Sequence, residues 1–215
     1  MKTRWHVWLL WIGEAENRII LTAVILGTAI TWLLAGLLAV AGGEQKQLSE
    51  QVLRFHVLAS SDSEEDQALK LQVRDAVIAY LEPCLRQSES VEETRAFIAT
   101  HLPQITDVAS RSLQRAGSSE NVQVMLGVSD FPTKYYGSVA LPAGRYEALR
   151  IEIGQAQGQN WWCVMFPSLC FVDETQPDAM DAQLEENLPE AQNDLIHEPR
   201  SFRFKLIEWY HALFD

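Results

Sequence analysis

The sequence predicts an α+β fold: a two-helix layer on a mostly antiparallel sheet, preceded by one transmembrane helix. Three observations lead there. Residues 19–41, IILTAVILGTAITWLLAGLLAVA, are 23 uncharged and mostly apolar residues in a row. From about residue 64 to residue 116, apolar side chains recur at helical spacing. Beyond residue 121 the period falls to two, the mark of half-buried strands.

The apolar run sets the compartment. At ~1.5 Å per residue, a helix of that length crosses a hydrocarbon core of ~30 Å. Trp5, Trp8 and Trp11 precede it at three-residue spacing, as interfacial aromatics would. Three basic residues (Lys2, Arg4, Arg18) stand before it, and Lys46 and Arg54 follow. The basic tail favours residues 1–18 inside the cytoplasm and the rest outside. A cleaved secretory signal is the other reading, because Ala39-Val40-Ala41 is a cleavage pattern. Either way the body lies outside the cytoplasm, where paired cysteines persist as disulfides.

The charge is lopsided. The chain carries -12, but residues 1–43 sum to +1 and everything after them to -13. An acidic body lacks the cationic patch that displaces counterions from a phosphate backbone, which excludes nucleic acid as a partner.

Residues 44–173 read as an extracytoplasmic α+β domain. Residues 52–59, VLRFHVLA, are strand-like. Ser61 with Glu64 matches a capping box, and Glu64, Glu65 and Asp66 suit the first turn of a helix running to about Leu85. Its inner face holds Leu69, Val73, Val77, Leu81 and Cys84, with Lys70, Arg74 and Asp75 outward. A second helix spans about 91–116 and buries Phe97, Ile98, Leu102, Ile105, Ala109 and Leu113. Pro103 predicts a kink or a split in it, and Gly117 its stop. Val122, Val124, Leu126 and Val128 then alternate. Pro142-Ala143-Gly144 predicts a hairpin turn, after which Leu149, Ile151 and Ile153 face in while Arg150 and Glu152 face out. Residues 174–199 hold eight acidic residues, three prolines and no lysine or arginine, and read as an acidic flexible linker. Residues 200–215 read as a C-terminal amphipathic helix with Phe202, Leu206, Trp209 or Tyr210, and Leu213 on its apolar face.

Catalytic signatures do not emerge. The sequence has no G-x-S-x-G, H-E-x-x-H, C-x-x-C or phosphate-cradling glycine loop. Its histidines lack ligand spacing. The acidic run from Asp62 to Asp66 resembles a calcium loop but has Gln67 where the sixth-position glycine belongs. No catalytic residue, metal or cofactor is expected.

Residues 158–173, GQNWWCVMFPSLCFVD, are the densest stretch. Cys163 and Cys170 can form a disulfide across a Pro167-Ser168 turn, stand as two buried thiols, or include a reactive thiol. Closing the eight-residue loop would contribute ~2.5 kcal/mol on the chain-entropy account. Along a strand, Trp162, Val164 and Phe166 share one face and Trp161, Cys163 and Met165 the other. Both faces are apolar, so the strand is either central and doubly buried or presents one face to a partner.

These blocks carry a resemblance. LRFHVLASSDSEEDQALKLQVRDAVI, then FPTKYYG, LPAGRYEALRIEIG, NWWCVMFPSLCFVD and RFKLIEWY, stand in order and resemble the stage II sporulation protein R family. The resemblance implies a signal rather than an enzyme. Proteins of that family are made in the forespore and act across the septum, in the intermembrane space. There they trigger a membrane aspartic protease of the mother cell, which cleaves a sigma factor precursor. The matched residues that local structure needs least are Asp62, Glu65, Trp161, Trp162 and Asp173, and these are the candidate partner contacts. Capping or core packing is the competing role for each. A membrane-anchored binding module and a hydrolase using Cys163 are the rival functions.

Overall fold

The computed structural model describes residues 4–136, 138–171, 177–197 and 202–214. Helix α1 (Arg4–Gln51) is 48 residues long and apolar enough to cross a membrane. Its large apolar side chains are exposed from Ile19 to Val40. Leu37 and Leu38 are half-buried, and Ala41 and Leu48 are buried. The helix therefore runs unbroken out of its apolar stretch and into the core of the body. The boundary expected at residues 41–44 falls inside one rod.

Strand β1 (Leu53–Leu58) follows after a single residue, then helices α2 (Glu64–Leu85) and α3 (Val91–Arg115). Strands β2 (Val122–Phe131), β3 (Lys134–Tyr136), β4 (Val139–Leu141), β5 (Gly144–Ile153) and β6 (Asn160–Phe166) come next. A 3-10 turn over Leu169–Phe171 and helices α4 (Pro177–Asn187), α5 (Glu190–His197) and α6 (Phe202–Phe214) complete the described chain. The main sheet has the order β2-β5-β1-β6. It is mixed: β1 is parallel to β5, while the β1–β6 and β2–β5 pairs are antiparallel. The fold is α+β, as the period change predicts.

The alternation of β1 explains the layering. Leu53, Phe55 and Val57 face α2 and α3, where they meet Leu69, Val77 and Leu81 of the first helix and Ile98, Ile105 and Leu113 of the second. The opposite face carries a second core, formed by Tyr146, Ala148 and Val164 with Leu48 of α1 and Leu184, Leu195 and Ile207 of α4, α5 and α6. The sheet is thus covered on both sides, by different parts of the chain. Cys163 and Cys170 are joined as a disulfide with a Cα–Cα distance of 5.7 Å, which holds the 3-10 turn against β6. The helix α3 ends as expected: Gly117 has φ +77°, and Ser118 N–H reaches back to Leu113 O at 3.0 Å.

Several local expectations are corrected. Residues 174–199 are not a flexible linker where described: α4 buries Leu184, α5 buries Leu195 and Ile196, and the bend between them buries Leu188. Composition misled because Glu185, Glu186, Glu190 and Asp194 all point outward, leaving the few leucines to face the sheet. The cap of α2 is Ser63, whose Oγ accepts from Asp66 N–H at 3.1 Å. Ser61 instead accepts from Ser63 N–H and donates to the Asp66 carboxylate. Leu85, not Cys84, closes the inner face of α2, and Cys84 is exposed. Lys70 is buried rather than outward, its ammonium donating to Gln67 Oε1 and to Gln159 O at 3.0 Å. Helix α3 runs through Pro103 without splitting.

Pro142 and Ala143 separate β4 and β5 into different sheets; the hairpin is β3–β4. Val128 is exposed, because its row of the sheet turns polar where Arg95 of α3 pairs with Glu147 at 2.6 Å. On α6 the inward residue is Ile207, while Trp209 and Leu213 are exposed.

Candidate functional site

Strand β6 is an edge strand, and its first half is where side chains become accessible. Asn160 is exposed, Trp161 and Trp162 are half-buried, and Cys163 to Phe166 are buried. Neighbours in a strand point to opposite faces. The two tryptophans therefore straddle the edge instead of forming one patch.

Trp161 lies on the helical side. Its ring meets Phe55 edge-on at 5.5 Å, and the guanidinium of Arg74 sits 5.0 Å above it. Asp62 reaches the same corner from the loop before α2, accepting from Gln159 N–H at 2.7 Å. Gly158 makes this closure possible, since a Cβ there would strike the carbonyl of Ser61. Lys70 bonds to the carbonyl of the same Gln159, and burial, with the nearby Arg74 charge, pushes its pKa down while Asp62 opposes. Asp62, Gln159, Lys70, Arg74 and Trp161 are one connected corner. Glu65, a turn away on α2, is exposed and makes no bond or ion pair among the described residues. Asp173 lies outside the described residues. Of the five candidate contacts, the structure thus gathers Asp62 and Trp161, leaves Glu65 beside them, and places Trp162 across the edge.

Trp162 belongs to a cluster that the sequence did not signal as a unit. It stacks on His56 at 3.8 Å, with Phe131 4.6 Å away and the Lys134 ammonium 5.8 Å above the indole. Two residues along β1, Arg54 is wholly buried. Its guanidinium lies 4.0 Å over Phe131 and 5.0 Å over Tyr146, and Nη2 donates to the Tyr136 hydroxyl at 2.8 Å. No carboxylate pairs with it among the described residues, and Nε and Nη1 have no hydrogen-bond acceptor there. Aromatic faces take the place of a counter-ion. Burial raises the phenol pKa of Tyr136 and of Tyr146, with the Arg54 charge acting against it in both. The signal for this cluster was the polar half of L-R-F-H-V-L: Arg54 and His56 alternate with the apolar residues that filled the first core.

His56 is the titratable member. Asn160 Oδ1 accepts from its Nε2 at 3.0 Å in the arrangement with the proton on Nε2, leaving Nδ1 buried without a partner. Desolvation pushes its pKa down to about 4; the Asn160 bond opposes this, and the charges of Arg150 and Arg54 reinforce it. The unfolded chain binds this proton near pH ~6.5, the folded one only near 4. The stability is therefore whole above the first value and falls as the pH drops towards the second, by at most about 3 kcal/mol. Thermal unfolding of the full chain in detergent should show a lower Tm at about pH 4.5 than at about pH 7. His56→Gln should flatten that difference; an equal drop in the variant would remove His56 as its source.

Among the described residues, catalytic groups do not converge on either face. Cys163 is bonded through its sulfur to Cys170 and offers no thiolate in this state. No group of three or more histidine, cysteine, aspartate or glutamate side chains with the geometry to hold a metal occurs among the described residues. What the site can do chemically is present indole and cation surfaces on both sides of an open strand edge.

The sequence profile of stage II sporulation protein R matches residues 49–176, from the last turn of α1 past the disulfide-linked turn. Stage II sporulation protein R of Bacillus subtilis (strain 168) is 34% identical over 220 residues, covering 89% of this chain and 98% of that protein. No solved structure matches. The match takes in both helices of the first layer, all four strands of the main sheet and the tryptophan edge, and the chain belongs to the stage II sporulation protein R family.

Proposed function

We propose that this chain is a sporulation signal that acts outside the cytoplasm of the forespore, held by residues 19–41 or released from them. Its target is a membrane aspartic protease of the mother cell, whose activation leads to processing of a sigma factor precursor. The observation that carries this reading is the similarity to a sporulation protein over 98% of that protein and 89% of this chain.

A contact can activate only by differential affinity. If the body binds the active arrangement of the protease a hundredfold more tightly than the resting one, it shifts that equilibrium by ~2.7 kcal/mol. The Trp161 corner suits such binding: tryptophan and arginine are common where a few residues dominate affinity, and here Arg74 already covers the indole.

The test is reconstitution. The full chain in one set of vesicles is mixed with vesicles holding the protease and its precursor substrate, and cleavage is followed. Cleavage is expected only with the chain present. Trp161→Ala should keep its Tm within a few degrees and lower the cleavage rate about tenfold or more, the loss of a single binding hot spot. No cleavage by the wild-type chain would sink the activation reading. Full cleavage by a folded Trp161→Ala protein would move the contact elsewhere.

A further inference from the structure

Helix α6 leaves an apolar stripe uncovered. Ile207 is buried and Leu206 and Tyr210 are half-buried, while Lys205, Trp209, Ala212 and Leu213 are exposed on one face at helical spacing. Trp209 is 68% exposed and Leu213 66%. A surface tryptophan and leucine side by side need an occupant.

The position of α6 says which. The helix packs along α1, and the ring of Tyr210 lies on Gly42, where a Cβ would come within 3.0 Å of it. Gly42 is two residues beyond Val40, the last large apolar side chain exposed on α1. At ~1.5 Å per residue that is ~3 Å along the helix. The uncovered stripe of α6 is thus carried by a helix seated at the level where α1 would leave the hydrocarbon. Beside it is a cavity of about 280 Å³ lined by Gly42, Gln45, Lys46, Arg145, Tyr210 and His211. Its lining has two permanent cations and a histidine and no carboxylate, on a body that otherwise carries net negative charge. Among the described residues, Lys46, one turn past Gly42, has a loose, exposed pair with Glu50 at 3.7 Å, and Arg145 one with Asp130 at 4.0 Å.

We propose that α6 is a second membrane contact. Trp209, Ala212 and Leu213 rest in the interface of the leaflet that α1 leaves, and the Lys46–Arg145 cavity takes the phosphate of an anionic phospholipid headgroup. Tryptophan suits the headgroup level, and a helix apolar on its outer stripe lies in the interface plane. The consequence is orientation. With α1 continuous into the second core and α6 on the surface, the body is held against its own membrane at two points, which fixes the side it turns away from that bilayer. The proposal rests on α1 being a membrane span.

The test uses the full chain in phosphatidylcholine vesicles whose acyl chains are brominated near the headgroup or, in a second set, near the bilayer centre. Trp32, in the apolar run of α1, is the control. Trp32→Phe should remove a component quenched by the deep bromines, and Trp209→Phe one quenched by the shallow bromines. Adding phosphatidylglycerol should strengthen the Trp209 component severalfold, and Lys46→Gln with Arg145→Gln should abolish that gain; free inorganic phosphate should not compete. Quenching of Trp32 without Trp209 overturns the α6 contact while leaving the span intact. No quenching of Trp32 overturns the span and this proposal with it. A Trp209 signal indifferent to phosphatidylglycerol, or one that inorganic phosphate competes away, overturns the headgroup assignment.

Discussion

Arg54→Ala is expected to lower the stability of the folded body by about 3 kcal/mol, while Arg54→Met leaves it within about 1 kcal/mol of the wild type or raises it. The guanidinium is wholly buried, with one hydroxyl partner and aromatic faces in place of a carboxylate. Taking it out of water costs several kcal/mol, and stacking on desolvated rings returns ~2 kcal/mol or more. Truncation to alanine keeps none of that return. It also opens a cavity between Phe131 and Tyr146 and leaves the Tyr136 hydroxyl without its donor. Methionine fills much of the same volume with no charge to desolvate. Urea unfolding of the full chain in detergent, followed by tryptophan fluorescence, measures both. A methionine variant as unstable as the alanine one would mean that the charge itself holds the second core together. If Arg54→Met is stable yet no longer triggers cleavage in the reconstituted assay, the buried cation serves signalling, not folding.

Phe55→Ala should cost more than any exposed substitution, about 3–5 kcal/mol. Phe55 lies in β1, between β5 and β6, and is fully buried against the α2–α3 layer. Such a loss is a large part of the ~5–15 kcal/mol that holds a domain of ordinary size. Because the ring also meets Trp161 edge-on at 5.5 Å, the variant should shift the emission of Trp161 to the red before unfolding. Phe97→Ala, on the half-buried rim of the same core, is the comparison and should cost clearly less. A loss below about 1 kcal/mol at Phe55 would contradict the packing of the first core.

These two residues are adjacent in β1 and belong to different cores, which shows where the sequence could be read. Leu149, Ile151, Ile153 and, apart from Cys84, the inner face of α2 were legible because periodicity alone assigns an apolar residue to a buried face. The change from helical to strand period announced the α+β class for the same reason. Arg54 and His56 were not legible as core, because a cation in a strand normally points to solvent. Their burial depends on a second cover, built from segments far away in the chain.

The candidate contacts divide along the same line. Trp161 and Trp162 were legible as neighbours on opposite faces of a strand. That the strand lies at the edge, with Asp62 closing on Gln159 and His56 stacking on Trp162, follows from pairing order. Pairing order is a competition among long-range contacts, which local spacing does not encode.

By itself the sequence determined the apolar length that can cross a bilayer, the two helices, the period of each strand and the family, since each is written in consecutive residues. Tertiary structure decided the rest. It turned the acidic stretch near the end into helices over the second face and ran α1 into that face without a break. It also enclosed a charge among aromatic rings. The physical reason is that burial depends on what arrives from elsewhere in the chain: Leu184, Leu188, Leu195 and Ile196 suffice once a sheet face stands ready to receive them.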